Sequence, residues 1–305
     1  MRTRIVVDPS SSFGVREALA SLPDVDAVYA TDERAVARAL EEIPVLVTKL
    51  WHDEYLRPGL RWVQTGSAGY ERFPIEELRR RGIVLCGGRG LHAVVAEHAI
   101  ALLLAAMRDI HVSVRRMADR RWEPHVGQEL AGRTAVVAGL GTIGEGIARR
   151  LGGWDVRLVG VTRTPTSYRG ILSDVRPLAE LAAACAEASV LFVALPQAPE
   201  TRGLVSAAVL DALGRGYVVN VARGPLVDEA ALVERLTDGR LAGAGLDVVE
   251  SEPLASSSPL WTLPNVVLTP HMGGSSPRYA GRFAELLSEN LRAFHGLGPW
   301  RDRIC

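Results

Sequence analysis

The chain has 305 residues and a mass of 32.9 kDa, with 35 basic and 35 acidic side chains and a formal net charge of zero. The basic residues are 34 arginines and one lysine, Lys49, which follows Thr48 with no glycine run before it, so a phosphate loop ending in Gly-Lys-Ser/Thr is excluded. Arginine cannot replace a lysine nucleophile, because the guanidinium stays protonated, but it can grip carboxylates and phosphates with two parallel hydrogen bonds. A pI near 7.1 gives no electrostatic case for nucleic acid or an anionic membrane as partner.

Cys86, Cys185 and Cys305 are far apart, with no CxxC pair, so neither a disulfide framework nor a zinc ribbon is indicated and no metal site is expected. The length is about twice that of a common single domain and favours two domains, for which 48% hydrophobic residues supply two cores. Met-Arg-Thr-Arg-Ile-Val-Val-Asp reads as the approach to a strand rather than as a signal peptide. The longest wholly apolar run, Ala99 to Met107, is too short for a bilayer. The reading is a soluble cytoplasmic protein.

Short β-branched runs alternate with Ala/Leu/Arg-rich helical stretches, the sequence form of a parallel sheet covered by helices. In the first third, strands are expected at Arg4–Asp8, Ala27–Tyr29, Pro44–Thr48, Arg61–Gln64 and Ile83–Leu85, with helices such as Asp32–Glu42 and Ile75–Arg81. Leu91–Arg121 then reads as one long helical stretch, apolar at Val95, Ile100, Leu103, Leu104 and Met107, that links domains or forms an interface. A second series of strands is expected at Thr134–Gly139, Val156–Val161, Val190–Leu195, Tyr217–Val221, Gly243–Asp247 and Val266–Thr269. Each ends in a loop rich in Gly, Pro, Asp or Thr, where open parallel sheets present ligand sites. Pro277–Phe294 reads as an amphipathic helix.

Ala135-Val-Val-Ala-Gly139-Leu-Gly141-Thr-Ile-Gly144 combines a strand, a glycine turn and a helix start. In that setting Gly139 permits the tight turn, Gly141 lets the backbone approach a pyrophosphate and Gly144 lets helix and strand pack closely. The following strand ends Thr162-Arg163-Thr164, without the carboxylate that binds the ribose hydroxyls of NAD. A guanidinium between two hydroxyls suits a 2′-phosphate, so NADP(H) is favoured over NAD(H), which stays admissible.

Three later strands end in Arg223, in an acidic segment containing Asp247, Glu250 and Glu252, and in His271. Ends of strands on one side of a sheet lie close together, so these groups can converge. With Leu195-Pro-Gln-Ala-Pro-Glu-Thr201, Asn220-Val-Ala-Arg-Gly, Asp247 through Pro253, Pro264 through His271, Leu60 through Gly69 and Ala96-Glu-His-Ala, the sequence resembles the D-isomer-specific 2-hydroxyacid dehydrogenase family, with glyoxylate/hydroxypyruvate reductase character.

The resemblance implies two Rossmann-like or flavodoxin-like α/β domains with parallel sheets. The dinucleotide-binding domain, residues 93–274, would be inserted in a substrate domain made of residues 1–92 and 275–305. It implies reduction of a small 2-keto acid to the D-2-hydroxy acid by hydride transfer from NAD(P)H. Arg223 would bind and polarise the keto acid, His271 would be the general acid/base, and Glu252 would raise the pKa of His271 by stabilising the imidazolium. Ser67, Ala68 and Gly69 would offer amides to the substrate carboxylate, alongside Arg223 and His271. The cofactor would meet Gly139, Gly141, Thr142, Ile143, Gly144, Thr162, Arg163, Thr164, Leu195, Pro196, Thr201, Val221, Ala222, Arg223, Asp247, His271 and Gly273, with Asp247 orienting the nicotinamide amide.

Glu252, just before Pro253, matches the family pattern better than Glu250. His98 is expected to pack at the domain junction, and core packing is the default for Trp51, Trp122 and Trp261. A homodimer through Leu91–Arg121 is the family expectation. The end at Cys305 leaves no room for the serine-binding regulatory module of some 3-phosphoglycerate dehydrogenases. A dinucleotide-sensing corepressor-like binding protein is the alternative on the same fold. Formate or phosphite oxidation would need pocket residues that the sequence does not clearly show.

Overall fold

The structure is a computed structural model that describes residues 2–11 and 14–305. It divides into two compact units, Met1–His92 with Ser275–Cys305, and Ala93–Gly274.

The first unit carries strands β1 (Thr3–Val7), β2 (Val25–Tyr29), β3 (Val45–Val47), β4 (Trp62–Gln64) and β5 (Val84–Cys86). All pair in parallel in the order β2-β1-β3-β4-β5, the flavodoxin-like winding. Helices α1 (Val15–Ala20), α2 (Glu33–Ala39), α3 (Ile75–Arg80) and α10 (Tyr279–Phe294) cover it. β3 and β4 are buried at every residue, which is why β3 runs apolar instead of alternating and why the one polar side chain of β4, Gln64, must find partners inside the protein. α10 buries Phe283, Leu287 and Leu291 along one stripe; fully burying each such side chain contributes about 1.5–3 kcal/mol. Its buried Asn290 donates from Nδ2 to the Gln64 side-chain oxygen of β4 at 2.8 Å, a polar tie between two fully covered side chains.

The second unit has β6 (Thr134–Ala138), β7 (Arg157–Thr162), β8 (Val175–Pro177), β9 (Val190–Val193), β10 (Tyr217–Asn220), β11 (Gly243–Leu246) and β12 (Val266–Leu268). These are all parallel, in the order β12-β11-β10-β9-β6-β7-β8. That is the doubly wound dinucleotide arrangement with one strand added at the β12 edge, and its order reverses between β6 and β9. Helices α4 (Val95–Met107), α5 (Ile110–Ala118), α6 (Thr142–Leu151), α7 (Leu181–Ala186), α8 (Ala207–Leu213) and α9 (Glu229–Thr237) complete the unit, with separate apolar clusters against the two faces of the sheet. β8 was not expected. It is a three-residue edge strand ending in Pro177, and proline is tolerated there because an edge N–H needs no partner.

The single helix expected over Leu91–Arg121 is instead two. α4 ends at Met107, and Asp109 takes the left-handed conformation (φ 51°) before α5 begins. A short polar side chain is among those that adopt this conformation most readily. α4 is a core helix: Val95, Ala96, Ala99, Ile100, Leu102, Leu103, Ala106 and Met107 are buried, and glycine at 245 on β11 lets Leu102 approach. The segment Arg89–Met107 is longer than the wholly apolar run within it and contains an 18-residue stretch of mean hydropathy 1.7, long and apolar enough to cross a membrane. Half of that segment is buried inside the protein, which explains its apolar character without a membrane.

Candidate active site

The glycine loop sits where the strand order of the second sheet reverses. Gly139 has φ 100°, and a Cβ there would lie 2.5 Å from the Ala194 backbone at the end of β9. A Cβ on Gly144 would lie 1.8 Å from the Gly139 carbonyl oxygen, so α6 can start only with glycine at that point. Gly141, at the N-cap of α6, faces open space. Close backbone packing on two sides with an open third, at the start of a ten-residue helix, fits a pyrophosphate held by the helix amides, including those of Thr142 and Ile143. Gly146, not singled out by the sequence, lets α6 meet Ala96 of α4.

At the end of β7, Thr162 is half-buried and Arg163 and Thr164 are exposed. Arg163 Nη1 donates to Glu200 Oε1 at 3.1 Å, with side chains 73% and 50% exposed. A pair this exposed is worth only about 0–1 kcal/mol and yields readily to a stronger anion. Thr162 and Thr164 also line a surface cavity with Leu140, Glu145, Arg149 and Arg169. Leu195 is buried and Pro196 exposed. Thr201 is buried, its hydroxyl donating to the Pro196 carbonyl and accepting from the Ala198 amide, both at 2.8 Å, so it braces its own loop.

β10 ends in buried Asn220, whose Oδ1 accepts from the Ala222 amide and whose Nδ2 donates to the Arg223 carbonyl, each at 3.0 Å. Buried Val221 and Ala222 are thereby fixed, and Arg223 Nη1 donates to the Ala222 carbonyl at 2.7 Å. The sequence reading missed the brace from Asn220; its signal was a polar residue ending an otherwise apolar strand. A Cβ on Gly224 would lie 1.9 Å from the Val249 carbonyl oxygen, so the Arg223 loop packs directly on the loop after β11.

In that second loop, Glu252 Oε2 accepts from His271 Nδ1 at 2.7 Å, with side chains 38% and 46% exposed. Glu250 is held elsewhere: its amide donates to Glu229 Oε2 at 2.7 Å and its carboxylate lies 3.5 Å from Arg202. The structure thus brings together Glu252 and His271, and packs their surroundings on the loop of Arg223.

His271 has φ 50°, a conformation that costs an L residue about 1–2 kcal/mol. Asp247 holds it there. Its carbonyl accepts from the His271 amide at 2.8 Å, Oδ1 accepts from the Thr269 hydroxyl at 2.6 Å and the Met272 amide at 2.9 Å, and Oδ2 accepts from the buried Gly273 amide at 2.9 Å. Burial pushes this carboxyl up, but hydrogen bonds from His98, Thr269 and the Gly273 and Met272 amides outweigh that and hold it below the ordinary aspartate range.

His98 lies within the second unit, its Nε2 2.8 Å from Thr269 Oγ1 and 3.2 Å from Asp247 Oδ1. Core packing fails as a description of two tryptophans: Trp122 is 97% and Trp261 53% exposed. Trp51 is half-buried, edge-on to Tyr55 with ring centroids 6.0 Å apart.

In the first unit, Ser67, Ala68 and Gly69 follow β4 and are half-buried. The Ser67 amide donates to Thr65 Oγ1 at 3.2 Å and the Ser67 carbonyl accepts from the Gly88 amide at 3.0 Å, which fixes the loop.

Residues 100–273 match the family model described as "D-isomer specific 2-hydroxyacid dehydrogenase, NAD binding domain". The chain belongs to the D-isomer-specific 2-hydroxyacid dehydrogenase family. Its relatives include a glyoxylate reductase of Pyrococcus furiosus, 36% identical over 250 residues, which are 78% of this dehydrogenase and 73% of the relative. A D-3-phosphoglycerate dehydrogenase of Mycobacterium tuberculosis is 35% identical over 77% of the chain but only 45% of its own length. Among solved structures, the NADPH-dependent glyoxylate/hydroxypyruvate reductase of Sinorhizobium meliloti in complex with citrate superposes with a TM-score of 0.87 at 32% identity, covering 100% of this chain and 98% of that one. The same reductase in complex with NADP and malonate gives 0.86 over 100% and 97%. The dehydrogenase therefore uses a nicotinamide dinucleotide, and the open start of α6 is where its sheet can receive one.

Proposed function

We propose that the dehydrogenase reduces a small 2-keto acid, such as glyoxylate or hydroxypyruvate, to the D-2-hydroxy acid, with NADPH preferred. The observation that carries this reading is the 2.7 Å pair of Glu252 with His271, beside a loop that holds Arg223. When bound, the nicotinamide supplies a hydride to the carbonyl carbon.

Glu252 accepts the Nδ1–H of His271, which leaves Nε2 as the nitrogen that gives a proton to the carbonyl oxygen and takes it back in reverse. The Arg223 guanidinium spans the carboxylate and carbonyl oxygen of the keto acid and polarises the latter. Backbone amides at Ala68 and Gly69 are assigned to the same carboxylate, whereas the Ser67 amide, expected there too, already donates to Thr65 Oγ1 at 3.2 Å and braces the loop. Asp247 Oδ2 carries the Gly273 amide, and a carboxylate oxygen can accept a second donor, here the nicotinamide amide. The glycine loop, Leu195, Pro196, Thr201, Val221, Ala222 and Gly273 shape the rest of the dinucleotide site.

Thr162, Arg163 and Thr164 are assigned to the 2′-phosphate. Arg163→Ala is then expected to weaken NADPH about tenfold or more relative to NADH, the worth of one charge-assisted contact. Glu200→Gln, which releases Arg163, should lower the KM for NADPH and leave that for NADH unchanged. A kinetic panel crossing both cofactors with glyoxylate, hydroxypyruvate, pyruvate and bulkier keto acids tests the whole reading, and a preference for NADH would refute the assignment of Arg163.

The proposal includes a homodimer. α5 buries none of its residues, and Ile110, Val114 and Met117 lie exposed along one face, followed by exposed Trp122 and Val126. Arginines at 115, 116, 120 and 121 and acids at 119 and 123 flank this strip with both charge signs, as a self-complementary surface requires. Light scattering should give twice 32.9 kDa, and a monomeric mass would contradict the dimer.

A further inference from the structure

His98 has no place in the reaction as drawn, yet its ring meets the carboxylate that shapes the His271 turn. Thr269 Oγ1 donates its one proton to Asp247 Oδ1, so the 2.8 Å contact between His98 Nε2 and Thr269 Oγ1 needs a proton on Nε2. The result is a relay of donors, from His98 to Thr269 to Asp247, with Nε2 also 3.2 Å from Asp247 Oδ1. Asp247 in turn accepts from the amides of His271, Met272 and Gly273, three consecutive residues bent around a left-handed histidine. There is no slack beneath this turn: a Cβ on Gly273 would lie 2.8 Å from Asp247 Oδ2 and 3.0 Å from His98 Cδ2. His98 stands on α4, whose buried face anchors it to the sheet.

We propose that His98 is a positioning residue: from α4, through Thr269 and Asp247, it fixes the turn that presents His271 to the substrate. This rests on the reading of His271 as the proton donor. A carboxylate with four donors around it holds one geometry, and removing the end of the relay lets Thr269 rotate and Asp247 re-pair, so His271 samples orientations in which proton transfer fails. The loss therefore falls chiefly on kcat: Asp247 is assigned one nicotinamide contact, so cofactor binding changes only slightly while the glycine loop and the end of β7 are untouched.

The test is steady-state kinetics with NADPH and glyoxylate for the parent, His98→Ala, His98→Gln, Thr269→Val, Thr269→Ser and the His98→Ala/Thr269→Val double variant, each checked by thermal melting. His98→Ala and Thr269→Val should each lower kcat about tenfold or more while the KM for NADPH stays within about threefold. The double variant should be no worse than the poorer single, because both remove one relay. His98→Gln, with an amide N–H near the Nε2 position, and Thr269→Ser should recover most of the rate. The inference is overturned if folded His98→Ala keeps kcat within about twofold, if the losses multiply in the double variant, or if His98→Gln is as poor as His98→Ala. Should His98→Ala fail to fold, Thr269→Val against Thr269→Ser decides by the same criteria. His271→Ala in the same series separates the two readings: if it stays active the proton-donor assignment fails, and if it is inactive while His98→Ala is fully active only the relay fails.

Discussion

His271→Ala is expected to lower kcat with 2-keto acids by about 10²–10⁴-fold, the range over which a positioned general acid contributes. NADPH binding, followed by fluorescence, should change by no more than about threefold, since the glycine loop and the end of β7 are untouched. Glu252→Gln should show a smaller loss of the same kind: an amide can still meet Nδ1, but it cannot balance the positive charge the ring carries while it holds its proton. The ordering therefore separates chemistry from scaffolding. Were Glu252→Gln as damaging as His271→Ala with melting temperatures unchanged, the carboxylate would be acting on substrate directly. If His271→Ala retained full kcat, the proposed proton path would be wrong.

What the sequence made readable was whatever repeats along the chain or is demanded by the backbone. Six of the seven strands of the second sheet were placed within two residues at each end, because apolar runs ending in loops rich in Gly, Pro, Asp or Thr mark strands buried on both faces. β8 escaped because Val175-Arg176-Pro177 has no such run; its arginine is held by Asp174 and Glu187, contacts that depend on the fold. The break at Asp109 escaped for a related reason, since an aspartate within a helical pattern signals a left-handed turn only weakly.

In the candidate site, Glu252 and His271 were legible as residue types after strand ends, and they pair at 2.7 Å; Arg223, read the same way, lies in a loop packed on the one that carries Glu252. The groups that hold them were not legible. His98 acts on Thr269, 171 residues away, and no spacing in the chain encodes that pairing; Asn220 acts on the backbone two and three residues on, and its only signal was a polar residue ending an apolar strand. Glu200 stands inside a phrase matched for its family pattern, but its pairing with Arg163 appears only once the loops after β7 and β9 are folded side by side.

Arg223→Lys is expected to lower kcat/KM for the keto acid by about 10²–10³-fold, although charge and length are nearly conserved. The guanidinium is anchored by Nη1 on the Ala222 carbonyl, itself held in a loop braced by Asn220, so its plane is fixed before substrate arrives. A fixed plane lets two parallel N–H groups address the carboxylate and the carbonyl oxygen together; an ammonium offers a point charge on a mobile stem. Losing one preorganised donor to a developing oxyanion costs about 10²–10³-fold in rate elsewhere. The keto acid's KM should rise and kcat fall, because the carboxylate contact exists before the reaction and the oxyanion contact strengthens during it. In Arg223→Ala, added guanidinium chloride should restore part of the rate and ammonium chloride should not. If the lysine variant came within about threefold of the parent, geometry would not matter at this position and the bidentate role of Arg223 would have to be abandoned.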